Sequence, residues 1–442
     1  MRSRSLAWRW LLAKEWRDLV ASRSWWLLLG AMGPLVGVSF ISAVHTYAEA
    51  SGLNGTTAGV GEAFAPLVGI WAPTFSACEL AAAFLLPFVA IRLVAGDRLN
   101  GVLTIESQQG CWSITRLGTK ALVLGAGWLV ASLAPLLAVA LWSSYGGVVY
   151  PPELVSVMVG HLLNAGLTIS LAAAASSVAR HPSTAAILTL GVTVGTWILN
   201  FIAAVQGGWW ERAAGFTPTA MVDQFQHGLV RLDATLVAVV LIASGLGLAA
   251  IWFRTGMSER RRAAESVALG LVGVVAVLLA SLSTLSWDLS EARANSFPVV
   301  DETAIRSITA PLRIEVHLAP EDPRRVDLDR RALRKLKRVL PSVDVRYISA
   351  TSIGLFEQTN PQYGEIWYDL GGRRAMSRVT TADGVLEAIY DLARITPPAE
   401  SDEALFRGHP LAVPPRGANW VFYGLWPVAV VAAGWFVHRR RV

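Results

Sequence analysis

The sequence predicts an α-helical polytopic membrane protein of about eight spans that carries a small extracytoplasmic α/β domain. Three observations lead there. Of the 442 residues, 53% are hydrophobic and only 16% charged, a combination rare in soluble proteins. Eight apolar runs approach the roughly 20 residues needed to cross about 30 Å of hydrocarbon: 24–44, 70–91, 121–142, 154–178, 184–205, 235–253, 266–286 and 419–437. Residues 287–416 alone break this pattern, alternating short apolar stretches with basic helical ones.

Charge sets the expected orientation. With the amino terminus inside, the five cytoplasmic segments hold 18 of the 38 Lys and Arg residues, while the three short external loops hold only Arg212 and Arg231. Both termini are therefore expected in the cytoplasm and 287–416 outside, a segment too long to obey the charge rule. Trp25, Trp26, Trp71, Trp142, Trp209, Trp210, Trp252, Trp287, Trp420 and Trp435 fall near the run ends, where an indole prefers the membrane interface. This distribution explains the net charge of +6 without a nucleic-acid partner. Cys78 lies in a span and Cys111 in a cytoplasmic loop, so no external disulfide framework is expected.

Along the chain, residues 7–23 place Trp8, Leu12, Trp16, Leu19 and Val20 on one helical face, with Lys14, Arg17 and Asp18 opposite. Such a helix lies flat in the interface ahead of the first span. After the second run, Gly96-Asp97-Arg98 reads as a turn, Gly101–Ile105 as the start of a short helix, and Thr115–Lys120 as the lead into the third span. Pro218 and Gly228 punctuate short interfacial helices before the sixth span. Outside, Leu312–Leu318 and Val343–Ile348 read as strands around a helix at Leu328–Leu340. Glu365–Leu370 and Ala375–Val379 form a hairpin about Gly371-Gly372, and a helix follows at Gly384–Arg394. A βαβ unit followed by ββα is a small layered domain, thioredoxin-like in outline.

Little in the sequence points to chemistry. No phosphate-binding Gly-x-x-x-x-Gly-Lys-Ser/Thr loop occurs, the seven histidines are scattered, and no nucleophile motif or CxxC pair is present. No catalytic residue, metal site or resident cofactor is expected. Glu79 is the one acid well inside a span, and an intramembrane carboxylate is costly enough to mark a functional position. It lines a substrate path, with Asn164 and Asn200 as further path residues or pairing partners, or it is a neutral, hydrogen-bonded group facing another helix. Arg330, Arg331, Arg334, Lys335, Lys337 and Arg338 form a basic helical face, either a solvated surface or a site for anionic headgroups.

Several of these stretches resemble one family. Lys14, Glu15, Arg17 and Asp18 resemble the elbow helix of type 2 ABC exporter permeases. Gly96, Asp97, Arg98, Gly101, Val102, Leu103 and Lys120 resemble that family's cytoplasmic coupling loop, with departures at Val102 and Ile105. Residues 170–180 and Phe216–Asp233 resemble its fourth-span end and the external segment before span six. The resemblance covers 7–254 in order and is nearest to the permeases of gliding-motility and nitrous-oxide-reductase maturation systems. Trp287-Asp288-Leu289-Ser290, Asp301-Glu302-Thr303, Ala310–Ile314, Tyr363–Ile366 and Gly371–Arg374 are similar to the auxiliary subunit of gliding-motility ABC systems, in shortened form and with Phe297-Pro298 for the usual Leu-Ser.

The resemblance implies an elbow helix at 1–23, a six-span permease domain at 24–254, a cytoplasmic linker and seventh span at 255–286, an external domain at 287–416, and an eighth span with a basic tail at 417–442. It also implies a bacterial cytoplasmic (inner) membrane location and a separate ATPase subunit that binds ATP and Mg. Gly96, Asp97, Arg98, Gly101 and Lys120 would contact that subunit, and Lys14, Glu15, Arg17 and Asp18 would line the same groove. Pairing as a homodimer or with a second permease is implied too, as is an extracytoplasmic protein or substrate. The alternative is a non-transporting envelope scaffold acting through 287–416.

Overall fold

Each apolar run becomes a helix, or a jointed pair of helices, long and apolar enough to cross a membrane, and the described residues hold eight such spans. The computed structural model describes residues 2–54, 64–99, 112–206, 209–254, 256–319, 322–340, 342–348, 362–398 and 406–439. Two compact units result, Met1–Leu289 with Arg407–Val442, and Ser290–Phe406. The chain is thus an α-helical polytopic membrane protein with a small α/β domain.

In the helical unit, α1 (Arg2–Ala21) leads into the first span, α2 (Arg23–Asn54). Span two comprises α3 (Ala72–Phe84), entered by a π turn at Leu67–Trp71, and α4 (Leu86–Leu99); span three comprises α5 (Ser113–Ala131) and α6 (Leu133–Ser144). Proline makes both joints: Pro87 and Pro135 lack an N–H and crowd the carbonyls of Ala83 and Ala131 four residues back. Spans four and five are α7 (Pro151–Val178) and α8 (Pro182–Gln206), and the short helices α9 (Trp209–Ala214) and α10 (Pro218–Gln226) follow. Strand β1 (Leu229–Arg231) then enters span six, α11 (Leu232–Trp252), and α12 (Glu259–Ala280) is span seven.

A pairing that periodicity did not foretell joins β1 antiparallel to β2 (Ser286–Asp288), with Val230 opposite Trp287. Residues 407–416 return to the helical unit. The His409 N–H donates to the Phe64 carbonyl at 2.8 Å, and the Leu411 N–H to Ser51 Oγ at 3.0 Å.

The last span, a π turn at Trp420–Leu425 and then a helix at Trp426–Arg439, packs antiparallel on α2. Gly33 and Gly37 permit the close approach. A Cβ at Gly33 would lie 2.1 Å from Trp426 Cδ1, and one at Gly37 2.6 Å from Phe422 Cβ. The Trp426 indole also donates to the Leu29 carbonyl at 2.8 Å.

Two sequence expectations need correcting here. Trp25, Trp71 and Trp142 are buried in the helical core, whereas Trp209, Trp420 and Trp435 are exposed as expected of interface residues. Neighbouring helices bury more of an indole than the headgroup region can, and Tyr47 and Trp71 stack edge-on against Trp142. In α1, Leu19 faces the protein while Trp8 and Trp16 stay exposed. The inward face is therefore not the tryptophan stripe; it also carries Glu15, which is 1% exposed.

The α/β unit begins with α13 (Val299–Arg306) and has a four-stranded sheet: β3 (Leu312–Val316), β4 (Val343–Tyr347), β5 (Ile366–Leu370) and β6 (Arg373–Ser377). The order is β4-β3-β5-β6, with β3 and β4 parallel and the other pairs antiparallel. Alternation puts Leu312, Ile314, Val316, Ile366, Tyr368 and Leu370 on one face. A helix running from Pro323 to Val339 through a π turn at Asp329–Leu333, and α14 (Ala382–Ala393), complete this core.

The second hairpin strand starts two residues earlier than expected. Gly371 and Gly372, at φ 57° and 84°, form a two-residue turn by themselves. The expected basic face is also incomplete. Lys335 is buried over the Phe297 ring, 5.8 Å from its centroid, and Arg338 pairs with Glu302 at 2.5 Å. Arg330, Arg331, Arg334 and Lys337 remain exposed.

Burial raises the Asp329 carboxyl above its usual range, against the opposing pull of the Tyr347 hydroxyl and nearby Arg325, Lys337 and Arg334. A raised folded-state pKa contributes stability that is complete below the unfolded value near 3.8 and is lost as pH rises through the folded value. Asp329→Asn keeps an acceptor for Tyr347 and removes that loss. Hydrogen exchange of β4 should accordingly slow in the variant at pH 7, with the gain shrinking toward pH 4; a gain independent of pH would contradict the assignment.

Candidate functional site

The helical unit has a partly open cavity of about 420 Å³ between α3, α7, α8, α10, α11 and α12. Helical spacing gathers its polar groups. Asn164 and Thr168 lie one turn apart on α7, and Thr193, Thr196 and Trp197 share a face of α8. Glu79 enters from α3, Thr219 from α10 and Ser244 from α11. The remaining wall is chiefly apolar, including Leu167, Leu171, Val192, Leu241 and Leu248.

Glu79 is the one ionisable group in this lining. Its carboxylate interacts with the Thr219 hydroxyl and the Trp197 indole, and feels the like charge of Asp223 one turn further along α10. Trp197 is held in turn by Phe84, edge-on at 5.7 Å. Thr193 Oγ1 reaches the Ala83 carbonyl at 3.4 Å and ties α8 to α3.

Glu79 and Asn164 thus line one cavity, as the sequence suggested. Asn200 does not. Its amide donates to Thr217 Oγ1 and to the Thr196 carbonyl, both at 3.0 Å, and Thr217 Oγ1 caps α10 by accepting from the Ala220 N–H at 3.2 Å. Asn200 therefore positions the helix that carries Thr219. Thr219, Trp197 and Ser244 were not singled out from the sequence, because single hydroxyls and indoles in apolar runs carry no local signal of what they face.

Gly160 governs how closely α10 approaches α7. A Cβ there would lie 2.5 Å from Phe225 Cβ, too near the backbone for a rotamer change to relieve. Gly160→Ala should cost about 1–3 kcal/mol by overpacking and draw Thr219 away from Glu79. Because alanine would keep the opposing Cβ, the test is Phe225→Gly: Gly160→Ala should cost less in thermal unfolding in that background than in the wild type, and equal costs would refute the contact.

A second constellation gathers the residues expected at the coupling loop and elbow. Lys120 Nζ donates to Glu15 Oε2 at 2.6 Å and to the Leu93 carbonyl at 3.0 Å, and lies 2.7 Å from Asp97 Oδ2. Lys14 Nζ lies 3.0 Å from Glu15 and 3.4 Å from Asp97, with Asp18 at 3.8 Å. Glu15, Asp97 and Lys120 are all buried, so the network clasps α1 to α4 and α5. Burial raises the Glu15 carboxyl above its usual range, and Lys120 and Lys14 oppose the rise.

The expected turn at Gly96-Asp97-Arg98 is instead the last turn of α4. Lys120 also reaches back along α4 to donate to the Leu93 carbonyl, one turn before Asp97. Asp97 and Lys120 accordingly pair within the chain. Gly101 and the Arg98 side chain lie outside the described residues. Arg17, Asp18, Trp112 and Ile114 are exposed.

Comparison with known proteins finds no matching family model, no matching curated protein and no matching solved structure, so the resemblance to exporter permeases rests on the motifs themselves.

Proposed function

We propose that this chain is the membrane-spanning permease subunit of an exporter driven by a separate ATPase, with both termini in the cytoplasm and the α/β domain outside. The observation that carries this reading is the cavity inside the bundle, walled by apolar side chains and holding one carboxylate, Glu79. Intramembrane acids facing a cavity mark pathways for substrates or ions.

The ion-pair clasp supports a route for coupling. It binds α1, α4 and α5 into one element, and α4 continues across the Pro87 joint into α3, which carries Glu79. Force applied by an ATPase at the exposed groups of this end, Arg17, Asp18, Trp112 and Ile114, would reach the cavity wall through that connection. ATP and Mg belong to the partner, and a pathway completed by a second permease copy agrees with the family resemblance.

The test is purification from native membranes after cross-linking in the membrane. An ATPase should be captured whose hydrolysis falls on Glu79→Gln while the assembly stays intact. A chain that carries no ATPase, or hydrolysis indifferent to Glu79, would remove the reading and leave the scaffold alternative. Sidedness has its own check. Arg331→Cys should react with a membrane-impermeant maleimide in intact cells, and reaction only after lysis would invert the topology.

A further inference from the structure

The cavity's charge balance says what it is built to hold. Among the described residues that line it, no Lys, Arg or His is present to pair with Glu79. Its partners are one hydroxyl and one indole N–H, and the further charge acting on it, Asp223, is also negative and lies 3.4 Å from His227 Nδ1. Glu79 is half-buried in this lining, and a carboxylate without a cation within a membrane span is costly. The cost is offset by a proton, or by a ligand that brings a positive charge.

The rest of the cavity selects the ligand's body. At about 420 Å³ it falls in the range of roughly 300–1,000 Å³ that holds drug-sized molecules. Its apolar wall is chiefly leucine, and its polar groups other than Glu79, Asn164 and the Trp197 indole are hydroxyls, seven of them spread over five helices. No second charge is available to a zwitterion's anionic group. The Trp197 ring, fixed by Phe84 beside Glu79, adds a π face to which a cation is attracted.

We propose that this cavity binds a monovalent hydrophobic cation, its charge against Glu79 and Trp197 and its apolar body along α7 and α11. The charge is single because a dication would leave one charge uncompensated in the same wall. Anions of equal size are rejected by Glu79, the one charge in the lining. The proposal names the cargo class of the exporter reading and rests on it for the word cargo, but the binding itself needs no ATPase.

Tetraphenylphosphonium and tetraphenylborate test it, since they carry the same four rings and opposite charge. Each is dialysed separately against the full-length chain in lipid nanodiscs, with protein-free nanodiscs subtracted. Tetraphenylphosphonium should bind saturably and at least about ten-fold more tightly than tetraphenylborate, and Glu79→Gln should abolish that preference. Equal binding of the two, a preference for the anion, absence of saturable binding, or a preference unchanged in Glu79→Gln overturns the proposal. The wild-type comparison decides even where the variant fails to fold. Cation binding by a chain that captures no ATPase removes the exporter reading alone; intact nucleotide coupling without cation binding removes only the cargo class.

Discussion

Replacing Lys120 with methionine will release α1 from the bundle and destabilise the protein by about 3–5 kcal/mol, the cost of removing one partner from a buried ion pair. Lys120 is 4% exposed, and its ammonium serves Glu15, Asp97 and the Leu93 carbonyl together. Without it, two buried carboxylates are left to Lys14, whose side chain is one-third exposed. Thermal unfolding in detergent should fall, and amide exchange should rise in α1 and the last turns of α4.

Glu15→Gln added to Lys120→Met should recover much of the loss, because Lys14 then balances the single remaining acid, Asp97. The pair should therefore be strongly non-additive. The pH dependence has a definite sign. Burial already raises the Glu15 pKa, and losing Lys120 takes away the largest opposing attraction, so the variant's defect should shrink as acid protonates Glu15. An unfolding temperature unchanged in Lys120→Met would reduce the network to a solvated surface pair worth about 0–1 kcal/mol.

Trp142→Ala should cost a similar amount, about 3–5 kcal/mol, through the cavity left by a fully buried indole. Trp142 is 1% exposed, stands edge-on to Tyr47 at 5.4 Å and to Trp71 at 6.3 Å, and donates its N–H to the Val148 carbonyl at 3.0 Å. The damage should spread to the returning tail. The Tyr47 hydroxyl, which Trp142 holds in place, lies 2.6 Å from the Phe64 carbonyl and 2.8 Å from that of His409. Denaturant unfolding should show the loss, and proteolysis near 409 should quicken; Trp142→Phe should retain part of the stability. A loss below about 1 kcal/mol would mean the ring faces lipid, where the truncated side chain is replaced by acyl chains.

The eight spans were legible because membrane transfer energy sums residue by residue along a run, so about 20 apolar residues declare a helix whatever their neighbours are. Strand alternation and the Gly371-Gly372 turn were legible for the same reason, each being set within a few residues. Glu79 stood out through the cost of a carboxylate in an apolar run.

Which helices touch has no such local sum, and there only the tertiary structure decided. Lys14 meets Asp97 across 83 residues, and Lys120 meets Glu15 across 105, turning four polar residues of an expected docking surface into an internal clasp. Asn200 and Asn164 look alike in sequence, yet one caps a helix assembly through Thr217 and the other lines the cavity. Trp142 and Trp420 both end apolar runs, but one is covered by Tyr47 and Trp71 and the other is left exposed. In each case the residue's own chemistry could be read from the chain, while its partner came from packing between segments far apart in sequence.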